Sequence, residues 1–292
     1  MADVTTLPPR APVDQGAYAA VLELLRGGAV AVLTGAGMST ASGIPDYRGP
    51  DGRRRVQPMQ YGEFLADADG RRRYWSRAYA GWERFAAALP NPAHEAVARW
   101  QRAGALGGLI TQNVDGLHQA AGATSVIELH GNLARVVCLD CAANYPREQV
   151  HSWLAQANPR WSVRSQEVRP DGDVLLAPEH IAAFTLVSCP VCRSDRLKPD
   201  VVFFGGTVER DLVERAYAVV EAASSLLVLG SSLQVMSGYR FVRRAAALGI
   251  PVAVVTRRGT RGDQQTDVHL DALLGDVLPR LTGDLTLGAA PL

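Results

Sequence analysis

The stretch GAVAVLTGAG at residues 28–37 joins an apolar run of strand length to a glycine-rich turn. Helical patterns such as NPAHEAVARWQRAG and DLVERAYAVVEAAS separate it from further runs of the same kind. Continuous apolar strands that alternate with helices indicate a parallel sheet buried on both faces. The sequence therefore predicts an α/β fold with a Rossmann-like parallel sheet. The other four runs are LGGLITQN (106–113), SVIELHGN (125–132), SSLLVLGSS (224–232) and PVAVVTRRG (251–259).

Two excursions interrupt this alternation. The first is rich in Arg, Tyr and Trp and has a helical pattern, and the second carries two Cys-x-x-Cys pairs and the segment RPDGDVLLAPEH. We assign residues 15–50, 91–137 and 197–285 to a discontinuous Rossmann-like domain. A helical module at 51–90 and a zinc-binding module at 138–196 would form a smaller, inserted domain.

The overall composition is that of a globular protein, and it limits the possible partners. The chain has 292 residues, 47% of them hydrophobic, and a formal net charge of +1. Such a charge gives no electrostatic reason to expect nucleic acid or an anionic membrane as the main partner. No apolar run reaches the roughly 20 residues of a membrane span, and the N-terminus lacks a signal pattern. We expect a cytoplasmic protein with neither nucleic acid nor a membrane as partner.

The four cysteines form the pairs CLDC (138–141) and CPVC (189–192). Two such pairs in a chain with no sign of an oxidising compartment favour a tetrahedral structural zinc site over disulfides or a redox pair. The 47 intervening residues exceed the usual spacing, but the entropy of closing the longer loop costs only about 1 kcal/mol. Zinc binding, about 10 kcal/mol or more, outweighs that cost.

Polar residues follow the second strand in GALGGLITQNVDGLHQAAG (104–122), where Gln112, Asn113, Asp115 and His118 succeed the apolar run. Such residues are ordinary in turns, but ligands of open α/β sheets also bind at the carboxyl ends of strands. The first turn has Gly35 and Gly37, which allow a tight turn and close approach to a ligand. The helix expected next would point its N-terminus at a phosphate.

A conventional dehydrogenase is excluded by the same turn. Its fingerprint needs a third glycine where Thr40 stands and an acid after the next strand. His130 in ELHGN ends a neighbouring strand, and histidine has the unperturbed pKa best suited to proton transfer near neutral pH. We assign the other histidines, His94, His118, His151, His180 and His269, to the core or the surface.

Six motifs in order then resemble the sirtuins, the NAD-dependent protein-lysine deacylases. They are GAGMSTASGIPDYRG, TQNVDGLH, ELHGN, the paired CLDC and CPVC, LKPDVVFFGG and GSSLQV, and the resemblance runs from about residue 16 to 283. The segments RRYWSRAYAGWERF, NPAH, NPRWS, PDGDV and SSLQVMSGYRF are most similar to the class II branch, which includes the sirtuin 4 type.

The resemblance implies the roles of individual residues. Asn113 and Asp115 would hold the nicotinamide ribose and carboxamide, His130 would be the general base, and Tyr47 would shield the reacting sugar carbon from water. Cys138, Cys141, Cys189 and Cys192 would bind one structural Zn²⁺. The implied NAD contacts are Gly35, Ala36, Ser39, Thr40, Ile44, Pro45, Asp46, Tyr47, Arg48, Gln112, Asn113, Asp115, Gly230, Ser231, Ser232, Thr256 and Leu274. The implied contacts to acylated-lysine protein substrates are Val202, Phe203, Phe204, Gly205, Val235, Met236 and Ser237.

The implied activity is NAD-dependent removal of acyl groups from protein lysines, which releases nicotinamide and O-acyl-ADP-ribose. Protein mono-ADP-ribosyl transfer and a non-catalytic NAD or ADP-ribose sensor are the alternatives. Two positions depart from the family pattern: Thr256 stands where an asparagine usually binds the adenosine ribose, and Gly206 where an acid is common. Both leave the catalytic residues in place.

The acyl group is harder to assign. Sirtuins that remove succinyl groups have a Tyr-x-x-Arg pair, and Tyr74 and Arg77 have that spacing. Counting back from NPAH, however, the pair aligns with Ala78 and Gly81. Arg77 also lies close in the sequence to Arg71, Arg72 and Arg73, so we expect it to belong to a solvated basic face. We also expect a preference for uncharged acyl groups, longer or branched, over succinyl.

Overall fold

The computed structural model describes residues 13–47, 57–163 and 169–287. Within them the chain forms ten α-helices and nine β-strands, and no described helix is long and apolar enough to cross a membrane. The helices are α1 Gln15–Arg26, α2 Tyr61–Ala66, α3 Ala68–Ala86, α4 Pro92–Arg102, α5 Leu117–Ala120, α6 Arg147–Ala157, α7 Pro178–Ala182, α8 Arg210–Glu221, α9 Met236–Ala247 and α10 Leu274–Leu287. The strands are β1 Val30–Thr34, β2 Leu106–Thr111, β3 Val126–Glu128, β4 Gly131–Cys138, β5 Asn144–Pro146, β6 Leu197–Val201, β7 Ser225–Leu229, β8 Val252–Val255 and β9 Val268–Leu270.

The main sheet has six parallel strands in the order β3-β2-β1-β7-β8-β9. All five apolar runs of the sequence contribute a strand to it, so the predicted α/β class with a Rossmann-like parallel sheet is confirmed. The sixth strand, β9, was not predicted. It has three residues, VHL, at the edge of the sheet, too few to produce an apolar run.

Helices cover both faces of this sheet, which explains why its central strands are apolar without alternation. Val30 and Val32 of β1 pack with α1, α4 and α10 on one face. Ala31 and Leu33 of the same strand pack with α8 and α9 on the other. Every residue of β1, β7 and β8 is buried. A parallel sheet covered in this way leaves its strand ends as the accessible edge.

A second, antiparallel sheet in the order β5-β4-β6 carries the smaller unit. Its core includes Phe64, Trp75, Leu154 and Phe184, contributed by α2, α3, α6 and the segment after α7. All of β6, and β4 except Cys138, lie in segments that we assigned to the Rossmann-like domain, but both strands belong to the antiparallel sheet. They do not join the parallel sheet because they pair with each other, with the zinc-binding module between them in the sequence.

The helix expected after the glycine-rich turn does not form, and that expectation was wrong. The described chain makes two single 3₁₀ turns, at Ala36–Met38 and Thr40–Ser42. Gly43, at φ +83°, ends the second turn in the left-handed region that favours glycine, and Pro45 follows. A turn this short has too few aligned peptide groups to provide the dipole of a full helix.

Candidate active site

The carboxyl ends of β1, β2 and β7 meet at one edge, where three loops pack closely together. The amides of Gly35 and Gly37 donate to the carbonyls of Leu229 and Gly230, at 3.0 and 2.9 Å. A Cβ on Gly35 would lie 2.7 Å from Cβ of Ser231, and one on Gly37 would lie 2.8 Å from the Gly230 carbonyl oxygen. These two glycines are therefore required for contact between loops, and their amides are already bonded within the protein.

Gln112 ties the end of β2 to the end of β7. Its Nε2 donates to Ser231 Oγ at 2.8 Å and approaches the Thr34 carbonyl at 3.3 Å. Gly238 of α9 leaves room for it, since a Cβ there would lie 2.4 Å from Gln112 Oε1. The structure thus brings Gln112 and Ser231 together, as expected for residues of one site.

Ser39 links the two polar residues that follow Gln112. Its hydroxyl donates to Asp115 Oδ2 at 2.6 Å and accepts from Asn113 Nδ2 at 3.0 Å. The other carboxylate oxygen of Asp115 accepts from the Leu117 amide at 2.9 Å. Burial raises the pKa of Asp115, and these two hydrogen bonds oppose the rise. The amide oxygen of Asn113 has no partner among the described residues, so it can accept from a ligand such as a carboxamide N–H.

His130 stands beside this cluster with its tautomer fixed by its neighbours. Its Nδ1 lies 2.9 Å from the Gln112 carbonyl, and its Nε2 lies 2.8 Å from Ser237 Oγ. A carbonyl can only accept, so we assign the proton to Nδ1 and leave Nε2 as an acceptor. Burial lowers the pKa of His130, opposed by the bond to Gln112. His130 is therefore neutral at neutral pH, with its basic nitrogen directed at a hydroxyl.

A buried chain of polar groups lies behind the cluster, and its connections were not predicted. The Asn113 amide donates to Thr111 Oγ1 at 3.1 Å, and the Thr34 hydroxyl donates to the same oxygen at 2.8 Å. His118 Nε2 lies 3.0 Å from Thr34 Oγ1, and its ring packs edge-on against His94 at 5.0 Å. Burial lowers the pKa of His118 to about 3 and that of His94 to about 4. Both histidines are neutral core residues, as the sequence suggested, and they support the backbone of Asn113.

The loop after β1, which carries the implied NAD contacts from Thr40 onward, is described as far as Tyr47. The Tyr47 ring meets Phe204, from the predicted substrate segment, edge-on at 5.7 Å between centroids. This contact brings the loop and the segment after β6 together over the site. Ile44 is buried, Asp46 and Tyr47 are half-buried, and Pro45 and Thr40 are exposed, while Arg48 lies outside the described residues.

The predicted substrate residues lie on two segments beside His130. The Val202 amide donates to the His130 carbonyl at 2.8 Å, and Phe203 is buried against Phe64 and Tyr74. Gly205, at φ +79°, turns the chain. On the opposite segment Val235 and Met236 are 37% and 41% exposed. The next residue, Ser237, contacts the imidazole of His130.

The remaining predicted NAD contacts lie at the far end of the same edge. The carbonyl of Ser232 accepts from the Arg261 amide at 3.1 Å, and the Thr256 amide donates to the Leu270 carbonyl at 3.2 Å. Leu274 is buried next to Gly230, where a Cβ would lie 2.9 Å from Leu274 Cδ1. The edge thus runs continuously from the end of β2 to the start of α10.

The four cysteine sulfurs converge in the smaller unit. All four Sγ atoms lie within 4.8 Å of one another. Cys138 to Cys192 measures 3.5 Å and Cys141 to Cys189 measures 3.7 Å. Sulfurs about 2.3 Å from a tetrahedral zinc would be about 3.8 Å apart, so the donor set fits that metal. Tyr145 Oη lies 3.1 Å from Cys189 Sγ and can donate to it.

The expected solvated basic face around Arg77 was wrong. The Arg77 side chain is only 11% exposed, and its Nη2 lies 2.7 Å from Asp173 Oδ2. Its Nε donates to the Val174 carbonyl at 2.8 Å. Arg71 is also buried and pairs with Asp195 at 2.8 Å. These arginines interact with carboxylates far away in the sequence, so a local run of basic residues cannot reveal their burial.

The loop that pairs with Arg77 also fills the space beside the two aligned positions. A Cβ on Gly81 would lie 2.2 Å from the Gly172 carbonyl oxygen, which leaves no room for a side chain. Ala78 is buried, and its carbonyl accepts from Arg147 Nη2 at 2.9 Å. Neither position offers a group that could read a carboxylate.

Comparison with known proteins agrees with this arrangement. The Sir2 family profile matches residues 35–237. The chain belongs to the Sir2 family. The resemblance seen in the sequence motifs is thereby confirmed. NAD-dependent protein deacetylase 1 of Streptomyces coelicolor is 51% identical over 270 residues, 92% of this chain and 90% of the relative. NAD-dependent protein lipoamidase sirtuin-4, mitochondrial, of Homo sapiens is 45% identical over 252 residues, 85% and 80% of the two chains.

Solved structures give the same result. A structure described as "Sir2-p53 peptide-NAD+" aligns with a TM-score of 0.73 at 28% identity, covering 92% of this chain and 98% of that one. Another, "Structural Basis for the Mechanism and Regulation of Sir2 Enzymes", gives a TM-score of 0.74 at 28% identity over 94% and 99%. The fold and the family of this chain are therefore the same as those of Sir2 proteins.

Proposed function

We propose that this Sir2 protein removes acyl groups from protein lysine side chains with consumption of NAD, releasing nicotinamide and O-acyl-ADP-ribose. The observation that carries the proposal is His130: a neutral imidazole whose Nδ1 is occupied by the Gln112 carbonyl and whose Nε2 is directed at a hydroxyl. NAD supplies the ribose carbon that accepts the acyl oxygen, with nicotinamide as the leaving group. The protein then has to orient the two substrates, exclude water from the reacting carbon and move one proton.

Each of these tasks has residues suited to it. Asn113 and Asp115, joined through Ser39, would orient the nicotinamide end, since their positions are fixed by mutual hydrogen bonds. Tyr47 and Phe204, in edge-on contact, would exclude water from the reacting carbon. His130 Nε2 would accept a proton from a ribose hydroxyl in the place where Ser237 Oγ now lies, so that the deprotonated oxygen can attack the acyl carbon. The bond between that carbon and the lysine nitrogen then breaks, and one water is consumed as the lysine amine and O-acyl-ADP-ribose are released.

We also propose that the four cysteines bind one Zn²⁺ with a structural role. Four thiolates would close the coordination shell and leave no open position for a reacting water. A hydrogen bond from Tyr145 to Cys189 would orient one ligand from outside the shell. The cytoplasmic location expected from the sequence stays a prediction, which cell fractionation tests.

For the acyl group we propose an uncharged chain, longer or branched, rather than succinyl. Arg77, which has the spacing of the succinyl-reading pair, is already engaged by Asp173. Turnover on one peptide carrying acetyl, a longer neutral acyl or succinyl would test the preference. Succinyl-lysine processed best, with the activity lost in Arg77→Met, would refute it.

The deciding experiment mixes the protein, NAD and an acyl-lysine peptide and measures two products. Nicotinamide release together with loss of the acyl mass from the peptide is the expected result. Nicotinamide release with addition of an ADP-ribose mass to the peptide would identify an ADP-ribosyltransferase instead. NAD binding without nicotinamide release, across a panel of acyl groups, would identify a sensor.

A further inference from the structure

A cluster of arginines extends from the edge of the substrate site along the outer side of α9. Arg240 lies one turn after Met236, and its Nε donates to the Met236 carbonyl at 3.4 Å. This bond folds the side chain back toward the start of the helix, where Ser237 contacts His130. The positive charge of Arg240 also helps burial to lower the pKa of His130. Arg240 is thus close enough to the reacting centre for its charge to be felt there.

The cluster continues away from the site as a groove of about 290 Å³. Tyr217 of α8 and Ala247 of α9 form its apolar part, and Arg240, Arg243 and Arg244 surround it. Arg243 and Arg244 are exposed, and Arg240 is half-buried. The groove therefore begins beside the predicted substrate segment and runs over the protein surface.

Two of the three groove arginines have no carboxylate partner in the part of the chain that the structure describes. Arg244 pairs with Glu221 at 2.8 Å, but among the described residues no carboxylate pairs with Arg240 or Arg243. Exposed arginines elsewhere in the structure, such as Arg99 and Arg210, do have a carboxylate four residues away on the same helix. Two adjacent uncompensated guanidinium groups beside an apolar surface favour a carboxylate-bearing partner.

We propose that this arginine groove is a docking surface for acidic residues that flank the acyl-lysine in the protein substrate. The proposal rests on the proposed deacylase function and adds a sequence preference to it. A substrate chain that places its acyl-lysine beside His130 passes Met236, so residues a few positions away reach Arg240 and then Arg243. The contacts are exposed, so each should be modest and sensitive to salt.

Two series of peptides test the proposal, each with the same acyl-lysine and with Glu, Gln or Lys at the positions on one flank. Binding is measured by fluorescence anisotropy and turnover by nicotinamide release, at low and at high salt. For one of the flanks we expect each Glu to strengthen binding about 1.5- to 5-fold over Gln at low salt, which is the usual range for exposed pairs. High salt should reduce that advantage, and Lys should reverse it.

Charge-reversal variants identify the surface. Arg240→Glu/Arg243→Glu should abolish the Glu advantage and give a Lys advantage of similar size. The matched control, Arg26→Glu/Arg99→Glu, changes net charge equally on the opposite face of the sheet and should leave the preference unchanged. Because Arg240 affects His130, every turnover value is divided by that for the Gln peptide. Arg243→Glu alone, further from His130, should remove part of the preference.

The outcomes separate this proposal from the proposed function. Equal binding of Glu and Gln peptides, or an equal response in the control variant, would overturn the docking surface while deacylation stands. Tighter binding of Glu peptides that is lost in the Arg240 and Arg243 variants would support the docking surface. If no nicotinamide were released in the same experiments, the proposed deacylase function would be refuted. If a DNA duplex competed while Glu and Gln peptides bound equally, the groove would be a nucleic-acid surface and the proposal would fail.

Discussion

Replacing Asp173 by Asn should flatten one part of the pH dependence of stability. Asp173 is buried beside Asp171, and burial together with that neighbouring carboxylate raises the pKa of Asp173 to about 7, against the opposing charges of Arg77 and Arg169. An unfolded aspartate has a pKa of about 3.9. Between these two values the folded protein holds one proton more than the unfolded chain. The stabilising contribution of this proton is therefore complete below about pH 4 and is lost as the pH rises through about 7.

The size of the effect follows from the two pKa values. Over the range from pH 5.5 to 7.5, linkage gives a loss of about 2 kcal/mol of stability, equivalent to about 3 °C in Tm for a chain of this size. Asp173→Asn cannot take part in this proton exchange. The difference in Tm between the wild-type protein and the variant should therefore move by that amount across the range, with wild type relatively more stable at the acidic end.

Calorimetry or differential scanning fluorimetry at half-unit steps of pH measures this difference. Asp69→Asn is the control, since Asp69 is 83% exposed and its one ion-pair partner among the described residues is Arg72, one turn away. It should run parallel to wild type at every pH. A Tm difference between wild type and Asp173→Asn that stays constant from pH 5.5 to 7.5 would refute the reasoning, because Asp173 would then be ionised throughout.

Four further outcomes are expected. His130→Ala should retain NAD binding and lose at least about 10²-fold in deacylation, the usual contribution of a positioned general base; turnover near that of wild type would exclude the role. Cys138→Ser should lose the one zinc per chain expected by metal analysis and unfold the smaller unit, whereas unchanged Tm and turnover would contradict a structural metal. Because burial depresses the pKa of His118 to about 3, wild type should lose about 1.4 kcal/mol per pH unit below about 6.5 on account of this residue. His118→Gln, compared by melting at pH 5 and 7, should reduce that acid sensitivity, and an unchanged slope would count against a neutral core histidine. Thr256→Asn should lower the KM for NAD about 2- to 10-fold by adding one hydrogen bond to the adenosine ribose, and an unchanged KM would show that residue 256 does not contact it.

The central strands and the location of the site could both be predicted from the sequence, because both depend on the parallel sheet. Parallel strands covered on both faces must be apolar along their whole length, which makes β1, β2, β7 and β8 recognisable. Once these strands are parallel, the polar residues after them must share one edge. Gln112 and Ser231, 119 positions apart, are hydrogen-bonded for this reason.

Three features could not be predicted from the sequence: strand β9, the missing helix after β1 and the burial of Arg77. Each depends on contacts between distant segments or on one backbone angle. Strand β9 exists because Val268 to Leu270 pair with β8, and no three-residue pattern could announce that. The helix after β1 is absent because Gly37 bonds to the Gly230 carbonyl and the chain leaves the second 3₁₀ turn through Gly43 in the left-handed region. Arg77 is buried because Asp173, 96 residues later, supplies its counter-charge.

The burial of Arg77 changes one of the two reasons for expecting uncharged acyl groups. From the sequence we expected Ala78 and Gly81 to take the place of the succinyl-reading pair, and Arg77 to lie on a solvated basic face. In the structure Arg77 is inside, next to Tyr74, whose ring contacts Phe203 of the predicted substrate segment at 5.1 Å between centroids. Its guanidinium already lies 2.7 Å from Asp173 Oδ2, and its Nε donates to the Val174 carbonyl, so a second carboxylate would have to displace contacts that are already made. We therefore expect the contacts of Arg77 with the loop at 169–174 to keep it from binding an acyl carboxylate, in line with the proposed preference for uncharged acyl groups.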